Sequence, residues 1–341
     1  MSLAFERLAE PVLVVGAYGY GNVGDEAVLA GLLAKLGDRS ATVVSRDPAA
    51  TTRLHGVSSV AIHAALPALL RHRSVVIGGG GLFGRDMGAI GRLLPLFGLI
   101  SSSLGREVVI EGVDIDATLA PTARLLVPRL ARRASAVTVR DHRSVAILDR
   151  WDVRANLAPD LSHWMPMGPV AAGRRLVREA GVDTRLPVVG LALTGVRPDL
   201  ADAALTAAAG AMDALPDAQF CFIPLSRHPR VATHDDLRVA HRLRRMRPRL
   251  AIVEAEVHPS LVLSAIAQLS ALVSMRYHGM LFAQRTRVPL VPIAYAEKNV
   301  RWLEERGMQA IPADADALTR ALRDALAADE RSVNRPRLVA S

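Results

Sequence analysis

Short runs of β-branched residues alternate with helix-length stretches along the whole chain, and this rhythm constrains the fold more than any other feature. In the first half the runs are "PVLVVGAYG" (11–19), "ATVVSRD" (41–47), "SVVIGGGG" (74–81), "EVVIEGVDI" (107–115), "AVTVRD" (136–141) and "ANLAPD" (155–160), with a short apolar segment near Val60. Helical patterns fill the gaps at "DEAVLAGLLAKLG", around Leu66–Leu70, near 88–104, over 121–133 and at "HRSVAILDRW". Near-continuous apolar strands separated by helices predict parallel sheets covered on both faces. "HWMPMGPVAAG" (163–173), with its prolines and glycines, reads as a linker. The alternation then restarts with strands at 187–195, 218–226, 250–257, 271–279 and 289–297, four interleaved helical stretches and the closing helix "ADALTRALRDALA". The expected fold class is α/β: two doubly wound, Rossmann-like domains, 1–168 and 169–341, facing across a cleft. In such sheets ligands bind at the carboxyl ends of strands.

Composition narrows the function. A length of 341 residues suits about two domains of roughly 100–200 residues. The single cysteine, Cys221, excludes a disulfide framework and a thiolate zinc cage, and it suits a reducing compartment. "MSLAFERLAEPVLVVG" does not read as a signal peptide, and Arg, Gly or Pro breaks every apolar run before the roughly 18 residues of a membrane span. A cytoplasmic location is expected. The formal charge of +9 is carried almost wholly by arginine, since Lys35 and Lys298 are the only lysines. Arginine favours forked binding of carboxylate and phosphate, although base composition of a genome produces the same enrichment. No zinc finger, RNA-binding signature or basic helix with interleaved aromatics is present, which argues against nucleic acid. Acidic small substrates and an anionic membrane surface, here the inner face, both remain compatible.

"GAYGYGNVGDEAVL" contains Gly19-x-Gly21-x-x-Gly24 between a strand and a helix, with Asp47 closing the next strand, as in a dinucleotide fingerprint. Two details count against that reading. The loop begins at Gly16, and Asp25 and Glu26 occupy the helix start where a pyrophosphate would otherwise receive bare N–H groups. Asp25 there is also simply a good cap. Gly78–Gly81 end the strand "SVVI", and four consecutive glycines exceed the needs of a turn, so a ligand is expected to approach the backbone at Gly79 and Gly80. Further strand ends carry Arg140 with Asp141, Asp160, and the loop with Arg227, His228, His234 and Asp235. No paired-histidine helix or ligand-spaced carboxylate cluster predicts a metal. Arg276 and His278 lie two apart after "SALVSM"; in an extended strand both point to one face and can address one bound group.

Four stretches, "GAYGYGNVGDEAVLAGL", "VVIGGGGLFGRD", "VTVRDHRS" and "MRYHGMLFAQRTRVPLVPIAYAEKN", resemble the polysaccharide pyruvyl transferases in content and order, over roughly residues 11–300. The resemblance implies a GT-B-like fold. It also implies transfer of pyruvate from phosphoenolpyruvate as a ketal across two sugar hydroxyls, with release of phosphate and no other cofactor. It makes His278 the general acid, Arg276 a phosphoenolpyruvate ligand and Arg140 a second cationic contact from the opposite domain. Asn22, Gly24 and Asp25 would shape the first-domain wall, and Lys298 matches a family lysine; from their place at strand ends, Asp160 and Arg227 are expected to contact substrate. "EGVDID" departs from the Gly-x-Gly-Pro type turn of many members and would bring Glu111, Asp114 and Asp116 near the acceptor, with Asp25 or Asp114 as proton acceptor. The implied partners are phosphoenolpyruvate and a glycan, whether or not lipid-linked. Two rivals stand beside this reading: a GT-B nucleotide-sugar glycosyltransferase, and a non-catalytic carbohydrate-binding relative.

Overall fold

The computed structural model describes residues 8–84, 88–116, 118–119 and 121–332. The chain divides into two compact units, one of residues 1–20 and 25–166, the other of 21–24 and 167–341. The single expected boundary thus becomes three crossings, because Gly21–Gly24 pack with the second unit.

The first unit is built on strands β1 (Val12–Val15), β2 (Ala41–Ser45), β3 (Ser58–Ala61), β4 (Ser74–Phe83), β5 (Glu107–Ile115), β6 (Ala136–Val139) and β7 (Asn156–Leu157). They form one sheet in the order β3-β2-β1-β4-β5-β6-β7, and every neighbouring pair is parallel. Alternate residues of each strand feed opposite faces. Leu13, Val75, Ile77, Val108 and Ile110 pack with helices Gly88–Ser103 and Pro121–Arg133 through Leu94, Val127 and Leu130. Val12, Val14, Val76 and Val109 pack on the other side with Val28, Leu29 and Leu32 of helix Val23–Leu36. Both faces are buried, which is why these strands are apolar throughout rather than alternating.

The second unit holds β8 (Val188–Ala192), β9 (Gln219–Phe222), β10 (Ala251–Ile252), β11 (Ala271–Ser274) and β12 (Leu290–Pro292) in a parallel sheet ordered β10-β9-β8-β11-β12. Strand order reverses between β1 and β4 in one sheet and between β8 and β11 in the other. Those switch points are where an open α/β sheet leaves a crevice at its carboxyl edge.

Several boundaries differ from expectation for identifiable reasons. Gly78–Gly81 do not end β4. It continues to Phe83, paired with β5 as far as Ile115; Gly79 (φ +69°) and Gly80 (φ +80°) have left-handed backbone just before a register shift between Gly80 and Phe83. The expected linker holds the boundary between the units, at Pro166/Met167, but its last four residues open helix Val170–Glu179, whose Gly173 lies so close to helix Pro259–Ile266 that a Cβ would sit 2.3 Å from the Ser264 backbone. That glycine marks helix contact rather than chain flexibility. The strand expected over 289–297 stops at Pro292, and helix Glu297–Glu304 begins where it was to end. Among the described residues no helix is long and apolar enough to cross a membrane, and no group of three or more His, Cys, Asp or Glu could hold a metal.

Candidate active site

In the second unit, β11 ends at Ser274, earlier than expected, and the chain turns at once into helix Tyr277–Thr286. The turn is pinned on three sides. Ser274 Oγ donates to the Arg276 carbonyl at 2.9 Å, and the buried Asn299 donates its Nδ2 to the Met275 carbonyl at 2.7 Å. Gly279 admits Ser274, since a Cβ there would lie 2.3 Å from Ser274 Oγ. Arg276 is therefore the N-cap of the helix, with φ −79° and ψ 132°, and His278 is its second helical residue. The two do not share a strand face as expected, because the strand is already over when they are reached.

Arg276 donates from Nε to Asp236 Oδ2 at 2.9 Å and from Nη2 to Asp236 Oδ1. The fork expected to grip a donor anion is closed on this carboxylate. Asp236 is fully buried at the start of helix Asp236–Met246, and it also accepts from the Leu225 N–H at 3.2 Å. Burial pushes the Asp236 carboxyl above its ordinary range, against the pull of Arg276, the Leu225 N–H and the Thr194 hydroxyl. Desolvation, and after it the charges of Arg276 and His228, push the His234 imidazole down.

His278 is half-buried, edge-on to Tyr277 with ring centroids 5.4 Å apart and 6.3 Å from the Phe282 ring. Gly24 comes directly against it: a Cβ on Gly24 would fall 2.0 Å from His278 Nδ1. Gly24 reaches this place because its segment is hydrogen-bonded to the chain after β9. The Val23 N–H donates to the Leu225 carbonyl at 3.0 Å, the Arg227 N–H to the Gly21 carbonyl at 2.8 Å, and Asn22 bridges Ser226 antiparallel. The Asn22 side chain accepts from the Gly24 N–H at 3.0 Å. Asn22 and Gly24 thus belong with the second unit and not to a first-domain wall. Arg227 has a scaffolding duty: its guanidinium donates to the carbonyls of Val253, Glu254 and Ala255 at 2.8, 2.6 and 3.2 Å. Lys298 is exposed, with Nζ 5.7 Å above the Tyr277 ring.

In the first unit the glycine loop is tied down from within. Glu26 accepts from the Gly19 N–H at 2.8 Å and meets His55 Nε2 at 2.8 Å, so it takes the N–H a pyrophosphate would need. The Tyr18 hydroxyl donates to the Gly78 carbonyl at 2.8 Å, and burial, with Asp25 and Glu26 nearby, raises that phenol far above its usual range. Asp25 is half-buried, its Oδ1 3.7 Å from where a Gly80 Cβ would be, and Asp114 Oδ1 stands 3.0 Å from the same position on Gly81. Gly79 is packed too tightly for ligand approach from its own Cβ direction, where Val28 Cγ1 would be 1.8 Å away.

Arg140 follows β6 and lies between two carboxylates, donating from Nη1 to Asp160 Oδ2 at 2.6 Å and from Nη2 to Asp114 Oδ2. Asp160 also caps the turn Leu161–Trp164 by accepting from the Ser162 N–H at 2.8 Å. A guanidinium flanked by two carboxylates carries a net negative cluster, so Arg140 is not the bare cation expected for an anionic donor. Of the "EGVDID" carboxylates, Glu111 is fully buried and paired with Lys35, while Asp116 accepts from the Thr118 N–H at 2.9 Å. Only Asp114 of the three remains half-buried beside the glycines.

Asp236, Asn299 and Lys35 were not assigned a part from the sequence. Asp236 was adjacent to the named Asp235, and Asn299 ended the most distinctive motif; neither has a local signature for its partner.

The fold is shared with proteins of known structure. UDP-GlcNAc 2-epimerase of Methanocaldococcus jannaschii is similar with a TM-score of 0.59, at 11% identity over 93% of each chain. The E. coli ADP-heptose LPS heptosyltransferase II has a TM-score of 0.54 at 13% identity, covering 94% of this chain and 99% of its own. The spinosyn rhamnosyltransferase SpnG has a TM-score of 0.54 at 14% identity over 94% of each chain. These similarities establish two parallel α/β sheets of the GT-B kind. No curated protein matches the chain. The polysaccharide pyruvyl transferase family model matches residues 22–297, from Asn22 through Arg276 and His278 to the residue before Lys298, and the chain belongs to that family.

Proposed function

We propose that this chain transfers pyruvate from phosphoenolpyruvate, as a cyclic ketal, onto two hydroxyls of a sugar in a cell-surface polysaccharide precursor. One observation carries the proposal: a half-buried imidazole, His278, occupies the first turn of the helix that leaves the β8–β11 switch point, beside a guanidinium held in place by a buried carboxylate. A helix start presents backbone N–H groups and the positive end of its dipole to phosphate or carboxylate. Asp236 holds Arg276 at the entry to that helix.

His278 then donates its proton to the methylene carbon of the enol phosphate, leaving an oxocarbenium-like centre at the adjoining carbon. A sugar hydroxyl attacks that centre and gives up its proton. That proton returns to the imidazole of His278; in the first unit, Asp25 and Asp114, the latter held by Arg140, are carboxylates suited to accept from a sugar hydroxyl. The carbon–oxygen bond to phosphate breaks as a second hydroxyl closes the ring, and that hydroxyl's proton leaves with the phosphate. Of the two hydroxyl protons, one thus replaces the proton that His278 gave to the new methyl group and the other goes out on phosphate, so the step balances. General acid catalysis of this kind contributes about 10²–10⁴-fold.

The proposal is tested by a thermal-shift panel together with a transfer assay. Phosphoenolpyruvate is expected to raise the melting temperature while nucleoside diphosphates do not, and a glycan acceptor is expected to gain a pyruvylidene group as phosphate appears. Stabilisation by a nucleoside diphosphate, with no phosphate released from phosphoenolpyruvate, would assign the chain to nucleotide-sugar chemistry instead.

A further inference from the structure

From Leu93 onward, helix Gly88–Ser103 of the first unit is apolar on both sides. One side, with Leu94 and Gly98, packs toward the sheet: a Cβ on Gly98 would meet Leu130 and Ile77 side chains within 2.9 Å. The other presents Leu93, Leu96 and Ile100, continued by Leu104, as a stripe at helical spacing, and among them Leu93 is 61% and Leu104 50% exposed. Helix Pro121–Arg133 packs alongside and adds the exposed Leu125. A helix with no polar outer face is ordinarily covered on both sides. Contiguous exposed apolar surface of this kind marks an interaction site.

The charges around it choose the occupant. Neither helix contains an Asp or Glu, and helix Pro121–Arg133 carries four arginines. Arg133 reaches across to Ser103 Oγ at 3.4 Å, Arg129 lies exposed one turn from Leu125, and Arg106 donates to the carbonyl of the exposed Leu70 at 3.3 Å. A two-fold contact between copies would set this arginine-rimmed face against itself, which like charges oppose. An anionic lipid surface satisfies both features at once, taking the leucines into its interfacial layer and the guanidinium groups among its headgroups. At 16 residues the helix is roughly 24 Å long, too short to span but suited to lie in the surface plane. We propose that the outer face of helices Gly88–Ser103 and Pro121–Arg133 docks the first unit onto an anionic membrane. This inference does not depend on the pyruvyl-transfer reading.

The test is flotation of the full chain with vesicles of phosphatidylcholine alone and of phosphatidylcholine mixed with phosphatidylglycerol, with sedimentation velocity of the lipid-free protein. The expected result is binding to the mixed vesicles that weakens with salt, and a Leu96→Gln/Ile100→Gln variant that binds at least tenfold less at an unchanged melting temperature. An Arg129→Gln/Arg133→Gln variant, which leaves the stripe intact, is expected to lose binding severalfold. Absence of vesicle binding, equal binding by the leucine variant, or a wild-type dimer that this variant dissociates would each overturn the proposal, the last by giving the face to a second copy.

Discussion

Gly24 and His278 are in such close approach that the smallest side chain at position 24 would fall 2.0 Å from the imidazole Nδ1. No flexible tip can give way there, because the clash is with the ring itself. The glycine is thus needed for what it lacks, and the imidazole is held from behind by backbone.

Gly24→Ala is accordingly expected to act through His278. Displacing a proton donor by about 1 Å can cost on the order of 10²-fold in rate. Phosphate release from phosphoenolpyruvate in the presence of an acceptor should drop at least tenfold, while circular dichroism stays that of the wild type. An alanine variant with unchanged turnover would show that the imidazole position does not matter.

Asp236→Ala removes the partner of Arg276 and leaves a guanidinium with only 12% of its side chain exposed. Breaking a buried pair from one side costs about 3–5 kcal/mol. Urea unfolding should show a loss of that order, and the double variant Asp236→Ala/Arg276→Met should recover part of it. A loss below about 1 kcal/mol for the single variant would mean that solvent reaches the pair.

Arg140→Ala should destabilise the first unit in the same way, since Asp114 and Asp160 would face each other without the cation between them. Asp114→Asn/Arg140→Met should be milder than Arg140→Ala alone. If Arg140 were instead a direct donor ligand, Arg140→Lys would raise the KM for phosphoenolpyruvate at unchanged stability, and that pattern would contradict its role as an organiser.

Cys221 is buried on β9, and burial pushes its thiol up to about 12. A raised value keeps the thiol protonated at pH 8, and only the thiolate reacts. Native protein should therefore resist a thiol-specific reagent at pH 8 and react at one equivalent in denaturant. Rapid labelling of the native chain would contradict the burial.

Much of the architecture was legible because it is locally encoded. The strand runs are apolar since both sheet faces are covered, and β4 and β5 begin where "SVVI" and "EVVI" begin. What was not legible depends on partners distant in sequence. Whether "MRYHG" continues β11 or starts a helix is settled by Asn299 and Ser274 gripping the turn, and no period in the sequence shows that. The fork of Arg276 is closed by Asp236, and that of Arg140 by Asp114 and Asp160, pairings that a list of charged strand ends leaves open. The stretch 163–173 does hold the boundary between the units, at Pro166/Met167, but Gly173 within it serves helix packing, since its missing Cβ lets two helices meet.

The central claim is that His278 supplies the proton that turns phosphoenolpyruvate into a ketal-forming electrophile. Its most direct test is phosphate release and product mass for wild type and His278→Gln over a panel of polysaccharide-precursor glycans. The account predicts a pyruvylated glycan and equimolar phosphate from the wild type, and a decrease of about 10²-fold or more in the variant at unchanged melting temperature. Wild-type turnover by His278→Gln would contradict it.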